Sequence, residues 1–307
     1  MNSAKPFVLV AQLWIACAPE QRVAKLGDLP LENGQSIRDC RVGYRTFGKL
    51  NTSKTNAVLL TPWSMGTSRE LSRQIGSGKL LDSSRYYVVA VDAFGNGVSS
   101  SPSNSSQQPG KDFPIFSIRD IVESQHRLLT DVLHLGHLKA VVGISFGGMQ
   151  AFQWMTAYPE FMDKAISIVG SPRTSPEEQQ QWRSWAEEVR SKTRWKRTEQ
   201  ALMQGKPLEG LRQLTLDADG YVRQAEAITA FDVSSSFGGS MERAAAAVRA
   251  KAFVVVSETD EVVNPLAALE FARLIDAQVL RLAGRCGHRA PSCESDVLEL
   301  AVSRFLQ

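Results

Sequence analysis

The run Gly143-Ile144-Ser145-Phe146-Gly147 ends the apolar stretch Lys139-Ala140-Val141-Val142 and opens a helix-forming segment, residues 148–155. No other stretch constrains the chain as much. It reads as a nucleophile elbow, a sharp strand-to-helix turn that holds a serine hydroxyl clear of a parallel sheet. The glycines have a steric reason: the turn is strained, and a side chain beside the serine would collide with the neighbouring strand or helix. A chance Gly-x-Ser-x-Gly in a loop is the competing reading, and the strand before it and the helix after it disfavour that.

From about residue 38, short β-rich runs alternate with helical periodicity. Strands are expected over 40–47, 57–61, 86–91, 140–144, 165–169, 252–257 and 278–282, and helices over 118–135, 147–157, 265–276 and 294–305. Continuous apolar strands separated by helices predict an α/β fold, a mostly parallel sheet flanked by helices. Residues 171–250 break the rhythm. They are polar and helix-prone, with Trp182, Trp185 and Trp195 set among charged residues. A helical cap inserted between two strands is expected there, anchored by tryptophans, with residues 19–170 and 251–307 forming the core.

The 307 residues, 43% hydrophobic and 22% charged, suit one large domain with an insertion. A net charge of +3 is too small to argue for nucleic acid or an anionic membrane as partner. Gly76-Ser77-Gly78-Lys79 lacks the upstream glycine and the following hydroxyl of a phosphate loop, so no nucleotide cofactor is expected, and no metal. At the N-terminus Lys5 precedes an apolar run, residues 7–15, and then Ala16-Cys17-Ala18. That order is the order of a secretory signal over residues 1–18, with a first β-strand as the competing reading. The run is too short to be a transmembrane segment. Export to the periplasm or medium is the expectation, a cytoplasmic protein the alternative. Cys286 and Cys293 flank His288, and in an oxidising compartment they would staple that loop.

A serine hydroxyl needs a base, and the base needs an orienting carboxylate. Folds that carry the elbow place them in chain order serine, acid, histidine. His126, His134 and His137 all precede Ser145, which leaves His288, between the last expected strand and helix. The acid belongs at the end of the strand before: Asp260 is the choice, Glu258 the runner-up, and Glu261 the better fit to a mere helix cap. Two backbone N–H donors must receive the oxyanion. One is Phe146, and the other comes from the loop after 57–61, where Trp63 and Ser64 are both open. Met65, Met149 and Arg289 adjoin these groups and are the expected substrate contacts.

The same residues make the chain resemble the α/β-hydrolase superfamily, in the branch containing homoserine O-acetyltransferases. The resemblance is carried by Tyr44-Arg45-Thr46-Phe47-Gly48-Lys49-Leu50-Asn51, Asn56-Ala57-Val58-Leu59-Leu60 and Gly76-Ser77-Gly78-Lys79-Leu80-Leu81-Asp82. It continues in Phe113-Pro114-Ile115-Phe116-Ser117-Ile118-Arg119-Asp120 and in residues 143–150, and returns more weakly from about 250. It implies an α/β-hydrolase fold and an acyl-enzyme. Three departures bear on the acceptor. Arg289 stands where the acetyltransferases carry an aspartate that helps hold homoserine. Pro62-Trp63-Ser64 replaces a His-Ala-Leu-type run, and Asp92-Ala93-Phe94-Gly95-Asn96-Gly97 replaces a Gly-Gly-Cys pattern. The stretch from Cys286 to Cys293 is similar to the Cys-Gly-His-x-Ala-Pro-x-Cys loop of exported, hydrolase-like relatives.

Three readings compete. The first is a carboxylic ester hydrolase acting on a small molecule. The second is an acyltransferase that takes acetyl-CoA and an amino-acid hydroxyl, and the third a binding protein on a degenerate scaffold. A homodimer is left open.

Overall fold

In the structure, a computed structural model, residues 19–191 and 218–307 are described. Eight strands form one sheet: β1 (Arg22–Pro30), β2 (Ser36–Phe47), β3 (Ala57–Thr61), β4 (Tyr87–Val91), β5 (Leu138–Ile144), β6 (Met162–Ile168), β7 (Lys251–Ser257) and β8 (Gln278–Leu282). Their spatial order is β1-β2-β4-β3-β5-β6-β7-β8. The pairs β1/β2 and β2/β4 are antiparallel and every other pair is parallel. The apolar runs explain the middle of this sheet. All five residues of β3 are buried, and in β5 Val141 faces one core while Ala140 and Val142 face the other. A strand covered by helices on both faces has no room for a polar side.

The edge strand β1 was not expected from the sequence. It has a polar face and an irregular register around Gly27, which hides the alternation. Such a bulged, charged edge also resists pairing with a second sheet. Flanking the sheet are α1 (Ser68–Leu71), α2 (Ile118–Arg127) and α3 (Phe146–Ala157). Ser117 and Asp120 form a capping box at the start of α2, but the helix gives way at Leu128–Val132 to a wider π turn. The turn ends on His134 in the left-handed region, so the single helix expected over 118–135 is shorter. Helix α3 is buried on nearly every side, and Trp154 satisfies its indole N–H on Gln125 Oε1 at 2.9 Å.

Between β6 and β7 the chain carries α4 (Pro176–Arg190), α5 (Ala218–Thr229) and α6 (Met241–Ala247). Buried Trp182 meets Trp185 edge-on at 5.0 Å and lies 6.4 Å from the Tyr221 ring. These rings join α4 to α5, so their first partners are one another. The expected signal segment, Cys17 and Trp195 lie outside the described residues. After β7 come α7 (Pro265–Leu274), and after β8 the short α8 (Ala290–Cys293) and α9 (Ser295–Leu306). Among the described residues no helix is long and apolar enough to cross a membrane.

Candidate active site

Ser145 sits between β5 and α3 with φ 57° and ψ −115°, a conformation that costs a non-glycine residue about 1–3 kcal/mol. The neighbours impose it. A Cβ at Gly143 would lie 1.9 Å from the Gly147 carbonyl oxygen, and one at Gly147 would lie 2.2 Å from the Thr61 carbonyl oxygen. The Ser145 N–H donates to the Ile168 carbonyl at 2.8 Å, tying the elbow to β6.

Ser145 Oγ lies 2.7 Å from His288 Nε2, and His288 Nδ1 lies 2.7 Å from Asp260 Oδ2. Asp260 follows β7 and His288 follows β8, so the three side chains converge on the carboxyl ends of parallel strands. The Asp260 side chain is 1% exposed and that of His288 19%. A buried carboxylate needs donors, and Asp260 Oδ1 accepts the Val262 and Val263 N–H groups, each at 2.9 Å. As the carboxylate only accepts, the imidazole proton belongs on Nδ1. That leaves Nε2 free to accept the Ser145 hydroxyl proton. Glu258, the alternative acid, instead reaches the surface Arg281 at 3.8 Å. Glu261 does not cap α7: Asn264 does, accepting from the Leu266 N–H.

The histidine loop is tied down at several points. A disulfide joins Cys286 to Cys293, and the Gly287 N–H donates to Thr259 Oγ1 at 3.2 Å. Thr259 Oγ1 in turn donates to the Gly284 carbonyl. The other histidines are occupied elsewhere. His126 stacks on Tyr158 at 4.0 Å, His137 meets Asp163 at 3.0 Å, and the His134 carbonyl receives Lys54.

Phe146 opens α3, so its N–H has no intrahelical acceptor, and it finds none among the other described residues. The N–H groups of Trp63 and Ser64 are likewise without a protein acceptor among the described residues. Met65 differs: its N–H donates to Gln224 Oε1 at 2.8 Å, while its side chain packs against the core. Met149 is buried in α3. Arg289 directly follows His288, half-buried, with no partner for its guanidinium among the described residues.

Sequence reasoning missed the groups that hold the Trp63–Gly66 turn. The Asn96 amide donates to the Gly66 carbonyl (3.0 Å) and to Asp92 Oδ1 (3.1 Å). Asp92, buried at the end of β4, also accepts from the Ser68 N–H and hydroxyl, each at 2.7 Å, and from Gln21. Burial pushes the Asp92 carboxyl up, against the pull of the Ser68, Gln21 and Asn96 hydrogen bonds. An acid and an amide straight after a buried strand were a usable signal for Asp92 and Asn96. Gln224, in a polar helix, gave none. A groove of about 650 Å³ lined by Val248, Arg249, Lys251 and Leu274 lies at the start of β7, away from Ser145.

A family model described as the α/β hydrolase fold matches residues 64–195. The chain is 40% identical over 152 residues to an ethyl acetate hydrolase of Pseudomonas veronii, covering 49% of this chain and 44% of that protein. It is 36% identical over 170 residues to a homoserine O-acetyltransferase of Methanococcoides burtonii, covering 50% of this chain and 35% of the relative. The matched stretches thus span less than half of either relative. The solved structure of the acetyl esterase MekB superposes with a TM-score of 0.85 at 25% identity, over 94% of this chain and 97% of that one. The chain has the α/β-hydrolase fold and is similar both to ester hydrolases and to homoserine O-acetyltransferases.

Proposed function

We propose that the protein is a serine hydrolase of small carboxylic esters working through an acyl-enzyme on Ser145. The observation that carries this is the unbroken pair of 2.7 Å contacts from Ser145 Oγ through the His288 ring to Asp260. In this reading Ser145 Oγ attacks the acyl carbon while His288 Nε2 takes its proton. Asp260 holds the ring and stabilises the imidazolium. The Phe146 N–H and that of Ser64 or Trp63 receive the oxyanion. Collapse breaks the ester C–O bond, and His288 returns the proton to the departing alcohol. Water then gives a proton to His288 and attacks the acyl carbon, the acyl–Oγ bond breaks, and His288 passes the proton to Ser145 Oγ as the carboxylic acid leaves.

Residues 171–250 serve as a cap on the core formed by 19–170 and 251–307. Glu178 of α4, accepting from the Asn264 N–H at 2.7 Å, supports its attachment beside the Asp260 loop. Met65, Met149 and Arg289 are proposed to contact substrate. The ethyl acetate hydrolase and the acetyl esterase among the relatives favour a short acyl group. The Cys286–Cys293 bond supports an oxidising compartment. Turnover of p-nitrophenyl acetate by the wild-type protein, lost in Ser145→Ala, is the expected result. Absence of turnover, or turnover undiminished in that variant, would sink the proposal.

A second reading, transfer of the acyl group to an amino-acid hydroxyl, is favoured by the similarity to the homoserine O-acetyltransferase. Acetyl-CoA consumption that depends on added homoserine would decide for it.

A further inference from the structure

Gln224 of α5 is fully buried and reaches out of the cap into the Trp63–Gly66 turn. Its Oε1 accepts from two donors, the Ser64 hydroxyl at 3.0 Å and the Met65 N–H at 2.8 Å. Its Nε2 donates to the Phe94 carbonyl at 2.7 Å. A neutral amide suits a position that accepts twice on one side and donates on the other. A carboxylate would set its charge against the Phe94 carbonyl oxygen, and an apolar chain would leave buried donors unpaired.

The turn it holds needs holding. Gly66 N–H closes on the Trp63 carbonyl at 2.9 Å, which makes Ser64 and Met65 the two central residues. Met65 has φ 60°, a conformation that this turn position gives readily to glycine or asparagine and reluctantly to methionine. Rotating the Ser64–Met65 peptide would relieve the methionine. It would also withdraw the Met65 N–H from Gln224. The amide therefore fixes that peptide plane, and its second bond fixes the Ser64 side chain. The helix approaches closely enough to do so because Gly95 is bare: a Cβ there would lie 2.8 Å from the Gly220 carbonyl oxygen and 3.2 Å from Gln224 Cγ.

We infer that Gln224 is a positioning residue, through which the cap presets the backbone N–H that receives the oxyanion on the Trp63–Ser64 side. The inference rests on the acyl-enzyme reading of Ser145. A merely structural cap anchor would alter stability and substrate affinity but not the selective recognition of an oxyanion.

The test compares wild-type protein with Gln224→Met, which keeps side-chain length and helix compatibility. The readouts are kcat and KM for p-nitrophenyl acetate, and the binding of an aryl trifluoromethyl ketone against that of its alcohol. The ketone forms an oxyanion on Ser145 and the alcohol cannot. The variant is expected to lose about 10- to 100-fold in kcat with KM little changed, and to weaken for the ketone by a similar factor but not for the alcohol. A kcat within threefold of wild type (~0.6 kcal/mol), or equal weakening for ketone and alcohol, would overturn the inference alone. No turnover by the wild-type protein would overturn the acyl-enzyme reading, and the inference with it. If Gln224→Met does not fold, Ser64→Ala removes one of the two donors without touching the cap. A smaller parallel loss in kcat and ketone affinity is then expected, and unchanged values would overturn the inference.

Discussion

The elbow at Ser145 and the turn at Trp63–Gly66 lie at the ends of neighbouring strands, β5 and β3, yet they are fixed in different ways. The elbow is held by backbone against backbone. Gly143 and Gly147 allow contacts that no side chain would permit, and the Ser145 N–H is tied to β6. The turn is held by side chains that come from elsewhere: Gln224 from α5, Asn96 and, through Ser68, Asp92 from the end of β4. The placement of Ser145 is thus intrinsic to the sheet, whereas the turn proposed to carry the second oxyanion donor borrows its placement from distant segments. Changes to the first region should break fold or chemistry outright, and changes to the second should grade activity.

The largest effect is expected at Asp260, which belongs with the backbone-held region because the Val262 and Val263 N–H groups fix its Oδ1. In Asp260→Asn those donors keep the amide oxygen and turn the NH₂ toward His288 Nδ1. The ring is then forced into the tautomer that cannot take the serine proton. A fall in kcat of about 10⁴-fold with an unchanged thermal transition is expected in esterase assays and melts. Activity near wild type would remove Asp260 from the mechanism.

Gly147→Ala attacks the elbow itself. The added methyl meets the Thr61 carbonyl, backbone that cannot swing aside, so a loss above about 4 kcal/mol is expected in urea titrations. A well-folded, stable variant would show that the elbow is less tightly packed than described.

The histidine loop is intermediate, a backbone turn clamped by a side-chain bond. Opening the Cys286–Cys293 link, which closes a loop with a sequence separation of 7, should cost roughly 2–3 kcal/mol of stability on the chain-entropy account. Cys293→Ser and reductant should act alike in thermal melts and lower kcat with them. An activity indifferent to both would show that the hydrogen bonds around Thr259 and Glu294 hold the loop without the disulfide.

The smallest effect is a pH slope at Asp92. Burial lifts its carboxyl above the ordinary value of 3.8, so the folded state favours the protonated form. That contribution is complete below 3.8 and is lost as pH rises through the folded value. Urea melts from about pH 4 to pH 7 should therefore show wild type losing stability relative to Asp92→Asn as pH rises. Parallel curves would contradict the shift.

These differences also mark how much the sequence could tell. The elbow was legible because its chemistry is written in five adjacent residues. The histidine beside Ser145 was reachable by elimination, since three of the four histidines lie upstream, and Asp260 by its place just after an apolar strand. The parallel strands were legible as unbroken apolar runs, while β1 was not, because its half-polar face and bulge blur the alternation. Of the turn's supports, Asp92 and Asn96 left a local signal after β4, whereas Gln224 left none. Gln224 meets Met65 across 159 positions and Phe94 across 130, and no local pattern encodes such a contact. Asn264, and none of the nearby acids, caps α7 because it stands immediately before Pro265, where its side chain can accept from the first turn.

The most direct test of the central claim is intact mass after rapid quenching of the protein mixed with p-nitrophenyl acetate. The account predicts a single acetyl increment that maps to the peptide containing Ser145 and is absent from Ser145→Ala. No increment, or one that persists in that variant, would contradict it.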